Sequence, residues 1–464
     1  MERRERQNLD RAHCSRPSLR GEKAGTTSQF QLEMETNSWA RISSLAKDKN
    51  MVFTNLCHHI NLCNLREGYH ALDGSKARGI DGVSKADYGK NLDGNLGDLL
   101  RRLKEGSYKP QPKREKLIPK ANGKLRPIAI ACFEDKLVEY PLSKILEAVY
   151  EQGFYDFSYG FRPGKSCDGA IRAAHKFLEN WDGGYVVEID LKNFFNTVPH
   201  RFLLKLISLR IADRRLKSLI MRFLQGEVLK ESGEMEESEL GTPQGGILSP
   251  VLANIYLHYA LDSWFTKNYA SKNSKMIRYA DDAVFFFKDK QTAETFLEDL
   301  RQRLAKYKLE LNEEKTGIIQ FTPQSKKVFH FLGFTFYCSR KRKGRKQMVK
   351  VKTHKEKLFK KVEEFKSWIQ TVRSKLSTRE IFKIVIAKLR GHYNYFGFWC
   401  NRSKLFEYHH HVVRILFKWL NRRSQRKSLT WDSFLRKLSL NRIPGPPEME
   451  KLKQLGWNPY AYAR

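Results

Sequence analysis

Two adjacent carboxylates, Asp281 and Asp282, break a stretch from Met276 to Phe287 that is otherwise apolar apart from Arg278. Flanking strands would bury that stretch and leave the acids at the tip of a tight turn. Like charges side by side are unfavourable unless a cation neutralises them. A third acid, Asp190, directly follows another short β-branched run, Tyr185-Val186-Val187-Glu188-Ile189. Three carboxylates so placed suit two divalent ions ~3.5–4 Å apart, one activating an attacking hydroxyl and one stabilising a leaving phosphate. Asp is also common in plain solvated turns. The pair alone therefore does not decide the matter, and its company does.

Periodicity gives the elements that would position these acids. Apolar spacing predicts helices from Glu134 to Tyr150, His200 to Leu224, Ile247 to Trp264 and Thr292 to Tyr307. With the short strands between them they predict an α+β fold. Upstream, Trp39 to Leu65 and Leu92 to Leu103 read as helical, with a turn at Gly79-Ile80-Asp81-Gly82. Lys116 to Lys120 and Leu125 to Ile128 flank Asn122-Gly123, a hairpin turn signal. That hairpin carries Lys120 and Arg126, one cation on each side of its turn. Beyond about residue 340 the character changes. Six of the ten residues from Lys341 to Lys350 are basic, which reads as a linker or basic loop and places a domain boundary near 341. From Lys355 to about Arg423 a helical pattern interleaves basic and aromatic residues. Ile443-Pro444-Gly445-Pro446-Pro447 then breaks regular structure. Residues 1 to about 37 are polar and basic, as in a mobile arm.

The 464 residues hold 86 Lys and Arg against 51 Asp and Glu, a net +35. So large a charge repels itself unless a polyanion covers it, and nucleic acid is the expected partner. A ribosome-associated or merely basic protein is the blander alternative. Seven cysteines without a CxxC pair argue against a disulfide framework and for a reducing compartment. Cys57 to Cys63 matches no common zinc spacing, and His409-His410-His411 lies in a helical pattern. No stretch of ~20 apolar residues occurs, so no membrane span is expected and a cytoplasmic location is.

The surrounding motifs now carry a resemblance. Ile277-Arg278-Tyr279-Ala280-Asp281-Asp282 looks like the palm motif of reverse transcriptases, and Asp190-Leu191-Lys192-Asn193-Phe194-Phe195 resembles the family's first catalytic-aspartate motif. Gly241 to Pro250, with Pro243-Gln244-Gly245, resembles its Pro-Gln-Gly segment. Ser158-Tyr159-Gly160-Phe161-Arg162-Pro163-Gly164 resembles a fingers motif. Leu309 to Thr316 and Phe331-Leu332-Gly333-Phe334 resemble the last palm motifs. All stand in the family's order between about 65 and 340. The finer pattern is similar to group II intron reverse transcriptases, or maturases. An extra N-terminal block, the stretch Ile118 to Pro127, and the thumb-like Leu389 to Gly397 and Trp419 to Gln425 all point there.

The resemblance implies a right-hand polymerase, with fingers and palm of α+β type followed by an α-helical thumb called domain X. It divides the chain into a basic arm at 1–38, an N-terminal extension with fingers at 39–180, a palm at 181–340, a thumb at 341–425 and a short segment at 426–464, a candidate DNA-binding remnant. It implies metal-site roles for Asp190, Asp281 and Asp282, with two Mg2+ ions for which Mn2+ substitutes. Lys120 and Arg126 would grip the incoming triphosphate, and Phe195 would stack under its sugar. Gln244 and Gly245 would line the nucleotide site. Arg390, His392, Arg402, Lys404, Arg422 and Arg423 are candidates for RNA contact. The implied partners are group II intron RNA, an RNA template with a DNA primer, deoxynucleoside triphosphates and target DNA. The reaction would be RNA-directed DNA synthesis, with intron binding that assists splicing and retrotransposition. No cysteine follows Cys400, so the zinc-bearing endonuclease of many such proteins is not expected. A retron- or defence-type reverse transcriptase, and an RNA-binding splicing factor without polymerase activity, are the alternatives.

Overall fold

Short runs of Val, Ile and Phe build the centre of the molecule, because β-branched and aromatic side chains pack well on a pleated surface. The computed structural model describes residues 38–119, 125–237, 239–242, 245–271, 273–340, 347–423 and 429–447. Among them are strands β1 (Lys113–Pro119), β2 (Leu125–Ile130), β3 (Gly184–Ile189), β4 (Val228–Leu229), β5 (Met235–Glu236), β6 (Lys275–Tyr279), β7 (Asp282–Phe287), β8 (Gly317–Phe321), β9 (Val328–Phe331), β10 (Phe334–Arg340) and β11 (Gln347–Thr353). Three sheets result, in the orders β2-β1-β4-β5, β6-β7-β3-β8 and β11-β10-β9. The basic arm expected over 1–38 lies almost wholly outside the described residues, as does the Asn122-Gly123 turn.

The sheet β6-β7-β3-β8 is antiparallel throughout. Successive side chains on a strand point to opposite faces, so each strand feeds two cores. Phe285 and Phe287 join Val187, Ile189 and Met276 on one side. Val284 and Phe286 join Val186, Ile277 and Phe321 on the other. Because both faces are covered, the strands read in sequence as nearly unbroken apolar runs. The first core is closed by the helices Phe133–Tyr150, His200–Ser208, Arg214–Leu224, Ser249–Leu257 and Lys290–Lys306. The second is closed by the helix Cys167–Glu179, the sheet β11-β10-β9 and the helices Lys355–Val372, Thr378–Phe396 and Arg402–Leu420. The architecture is thus a mixture of helix and sheet.

Three expectations are refined. The helix expected from His200 to Leu224 is two helices, because Asp213 starts the second one. Its Oδ1 accepts from Leu216 N at 3.1 Å, while its Oδ2 accepts from Leu56 N at 2.7 Å and Cys57 N at 2.8 Å. The apolar helix expected from Ile247 to Trp264 runs as Ser249–Leu257, a π-helical turn His258–Asp262, and Ser263–Asn268. The basic stretch from 341 is flanked by paired strands, since β10 and β11 run antiparallel from Phe334–Thr353 to Arg340–Gln347. Lys350 is therefore in a strand and not in a linker.

Candidate active site

Asp190 directly follows β3, Asp281 lies in the turn between β6 and β7, and Asp282 opens β7, which pairs with β3 in the sheet. Strand pairing brings acids about ninety residues apart in sequence to the same end of one sheet. All three line a cleft of about 960 Å³ that also receives Arg126, Phe161, Lys315, Lys357, Lys361, Lys388, His392 and Tyr395. A second cleft of about 800 Å³ shares Asp190, Asp281, Arg126, Phe161 and Lys315, and adds Phe195, Asn193, Gly245, Gly246 and Asn312. The acids and Arg126 therefore stand where two clefts meet.

Electrostatics sets the character of this floor. Asp190 Oδ2 accepts from Asn312 Nδ2 at 2.9 Å and from Lys315 Nζ at 2.9 Å. Burial, followed by the Asp190 charge, raises the Asp281 carboxyl, while Arg126 and Arg278 oppose the rise. Surrounding protein, then Asp281 and Asp190, raise Asp282 to about 7. The Asp282 side chain nonetheless opens to solvent in the cleft, so repulsion among the acids is the firmer cause of that direction. Among the described residues no three carboxylate, imidazole or thiol groups converge closely enough to pre-form a metal cage. The oxygen chemistry of the three acids suits a hard divalent cation, which would relieve the repulsion among them.

The other expected residues are placed as follows. Lys120 and Gln244 lie outside the described residues. Arg126 is exposed on β2. Phe195 is half-buried and lines the second cleft, whereas its neighbour Phe194 is fully in the core. Gly245 has φ +107, and a Cβ there would stand 2.8 Å from Ile128 Cγ2 and 3.0 Å from Ala129 O. Its missing side chain is thus required by packing against β2. Arg390, Arg402, Arg422 and Arg423 are exposed on the C-terminal helical part. Arg402 lies over Phe406 and Arg422 over Trp419, each 5.0 Å from the ring centroid. Arg423 donates to Thr378 Oγ1, and Lys404 pairs with Glu407. His392 is buried, stacked 3.7 Å from Tyr408, and neither ring nitrogen has a hydrogen-bond partner. Burial lowers its pKa to about 3. Tyr393, Phe396 and Phe398 are core residues.

Sequence reasoning singled out neither Asn312 nor Lys315, although both lie in the quoted segment Leu309 to Thr316. It also missed the cations Lys357, Lys361 and Lys388, which reach the cleft from the C-terminal helices. Their signal was only a helical basic pattern, which does not say where a helix packs. Glu139, from the helix Phe133–Tyr150, was missed as well. Its Oε2 accepts from Ile247 N at 2.6 Å and Leu248 N at 3.4 Å, and so holds the loop that carries Gly245 and Gly246.

A carboxylate-floored cleft walled by lysines, in a chain of net +35, has the charge pattern that suits a phosphate polyanion. Residues 118–336 match the family described as reverse transcriptase (RNA-dependent DNA polymerase). The chain is 33% identical over 309 residues to Protein YkfC of Escherichia coli (strain K12), covering 60% of this chain and 80% of that protein. It is 44% identical over 161 residues to the group II intron-encoded protein LtrA of Lactococcus lactis subsp. cremoris, covering 34% of this chain and 26% of LtrA. It is 42% identical over 161 residues to the 91 kDa protein in the cob intron of Schizosaccharomyces pombe, covering 34% of this chain and 20% of that protein. The chain belongs to the reverse transcriptase family, whose reaction is RNA-directed DNA synthesis with divalent metal ions. No described helix is long and apolar enough to cross a membrane.

Proposed function

We propose that this chain copies RNA into DNA as a right-hand polymerase, with fingers over 39–180, a palm over 181–340 and a helical thumb over 341–425, and that it serves a group II intron. The observation that carries the reading is the meeting of Asp190, Asp281 and Asp282 at one cleft floor. These acids hold two Mg2+ ions, with Mn2+ as a substitute. When bound, the ions supply activation of the primer 3′-hydroxyl and neutralise charge on the triphosphate. Lys315 holds the Asp190 charge through its 2.9 Å bond to Oδ2. Arg126, at the junction of the two clefts, grips the triphosphate together with Lys120, and a guanidinium can do so bidentately. Phe195 lies under the deoxyribose, Gly245 lines the nucleotide pocket, and Gln244 contributes to nucleotide binding.

The intron role rests on the relatives' intron origin and on the basic C-terminal helices. Arg390, Arg402, Lys404, Arg422 and Arg423, with the basic N-terminal region, hold intron RNA through its phosphates. The template–primer pair, deoxynucleotides and target DNA are the remaining partners.

Primer extension on an RNA template, with Mg2+ and deoxynucleotides, tests the reading beside a variant carrying Asp281→Ala and Asp282→Ala. Extension by the parent protein alone, with RNA affinity unchanged in the variant, is the expected result. Absence of extension by either protein, with tight RNA binding, would replace the polymerase reading with that of a splicing factor. Extension without any effect on splicing of a neighbouring intron would favour a retron- or defence-type enzyme.

A further inference from the structure

The turn that carries Asp281 and Asp282 contains a strained residue. Ala280 has φ +55, in the left-handed region that a residue with a Cβ rarely adopts. Such a backbone persists only when its surroundings over-determine it. Here those surroundings are a buried network centred on Arg278, two residues earlier on β6.

The Arg278 side chain is 0% exposed, as is that of Asp262. Its Nε donates to Asp262 Oδ1 at 2.8 Å and its Nη2 to Asp262 Oδ2 at 2.6 Å, a bidentate pair. Nη2 also donates to Ser158 Oγ at 2.7 Å. Nη1 donates to Asn254 Oδ1 at 3.1 Å and to the carbonyl of Ala280 at 2.8 Å. The guanidinium therefore ties the peptide that precedes Asp281 to three other elements. Asp262 ends the π-helical turn, Asn254 lies about two turns before it on the same run of helix, and Ser158 belongs to the segment before Cys167–Glu179.

That segment also clasps the strand. Arg278 N donates to Phe157 O at 2.9 Å, and Tyr159 N donates to Arg278 O at 2.8 Å. Asn254 Nδ2 donates to Gly160 O at 2.7 Å. A Cβ on Gly160 would collide with the backbone nitrogen of Ala280. The segment is itself held by Arg162, which pairs with Glu151 at 2.8 Å and donates to Tyr155 O at 2.6 Å and Ser158 O at 2.7 Å.

A fully buried ion pair is a poor source of stability, because desolvation offsets most of its attraction. It does fix geometry, since a planar fork satisfies five bonds in only one orientation. We infer that Arg278 and Asp262, with Ser158 and Asn254, are positioning residues that hold the Ala280 peptide in its left-handed conformation and so aim Asp281 and Asp282 into the cleft. This rests on the reading of those two acids as metal ligands.

The test uses the full chain with Arg278→Lys, which keeps the charge and removes the fork, and with Ser158→Ala, which removes one hydroxyl. Three quantities are measured: primer extension on RNA, template affinity, and Mn2+ binding by electron paramagnetic resonance. The variant with Asp281→Ala and Asp282→Ala defines the background. A slight misplacement of catalytic groups can reduce rate about 100-fold, which is the fall in kcat expected for Arg278→Lys. Ser158→Ala, which loses one hydrogen bond, is expected to lower kcat about tenfold. In both, Mn2+ binding weakens at least severalfold, while template affinity and the KM for deoxynucleotide stay within about twofold. If Arg278→Lys does not fold, as judged by circular dichroism, Ser158→Ala decides. Unchanged kcat and Mn2+ affinity in the folded variants would overturn the inference, as would a loss confined to template affinity. Continued extension by the double Asp→Ala variant would instead overturn the reading of the acids.

Discussion

Replacing Asp135 with Asn should make the protein less sensitive to rising pH. Asp135 is 2% exposed, at the start of the helix Phe133–Tyr150. Its Oδ1 accepts from Tyr108 Oη at 2.5 Å and its Oδ2 from Gln111 N at 3.1 Å. Burial is the main influence on its carboxyl and raises it from 3.8 to about 7, with Glu139 and Glu134 adding to the rise and the two hydrogen bonds opposing it. The nearby Lys113 ammonium is buried too, donates to Phe223 O at 2.9 Å, and is pushed down by burial. Both groups are thus driven towards their neutral forms. Between pH 4 and 7 the folded chain keeps a proton that the unfolded chain releases, so this residue's contribution to stability falls as pH rises. The protonated carboxyl favours the fold fully below pH 4, and that contribution is lost by about pH 7. At 1.36 kcal/mol for each pH unit between the two values, the loss is on the order of 4 kcal/mol. Asn copies the shape of the protonated acid and does not ionise. Urea denaturation of both proteins from pH 4.5 to 8.5 measures the effect. The variant should match the parent at the acid end and surpass it progressively towards pH 8. A difference that does not change with pH would refute the neutral carboxyl. A variant that becomes relatively weaker as pH rises would show an ionised Asp135 paired with Lys113.

Three further outcomes follow from the packing. Glu139→Ala leaves the amides of Ile247 and Leu248 without their acceptor, each worth ~1–3 kcal/mol if unsatisfied. It should raise the KM for deoxynucleotide in primer extension, and Glu139→Gln, which keeps an acceptor oxygen, should recover part of the loss. Phe286→Ala opens a cavity between Phe177, Trp181 and Phe329 and should destabilise the protein by ~3–5 kcal/mol, read from the denaturation midpoint. Phe195→Ala should retain extension with deoxynucleotides and increase incorporation of ribonucleotides, measured by competition on the same template; unchanged discrimination would assign Phe195 to packing alone.

Much of the local structure was legible because it depends on near neighbours. The apolar runs at Tyr185 to Ile189 and on both sides of Asp281-Asp282 form strands, since a short β-branched or aromatic run suits a covered sheet. The acids fall at strand ends for the same reason: a carboxylate cannot remain inside an apolar ladder without a partner. Ordered motifs identified the family, because their residues must meet around one reaction wherever the intervening chain runs.

Other features depend on which surfaces meet, and no local pattern carries that information. Arg278 reads as a basic residue on a strand, yet it is 0% exposed because Asp262 and Asn254 from the preceding helix and Ser158, 120 residues away, converge on it. Gly245 reads as a residue that lets a ligand approach, yet the atoms that forbid a side chain belong to β2. The basic run from 341 reads as a linker, yet the strands on either side of it pair. Helical periodicity in the C-terminal part shows that a face is apolar, but only packing brings Lys357, Lys361 and Lys388 to the cleft of the three acids. Sequence alone determined the strands on either side of the acids, through short-range sterics, and the family, through the order of its motifs. Tertiary structure decided which side chains pack around the turn and which basic residues reach the cleft, because those contacts join elements from 16 to 125 residues apart whose meeting no local pattern specifies.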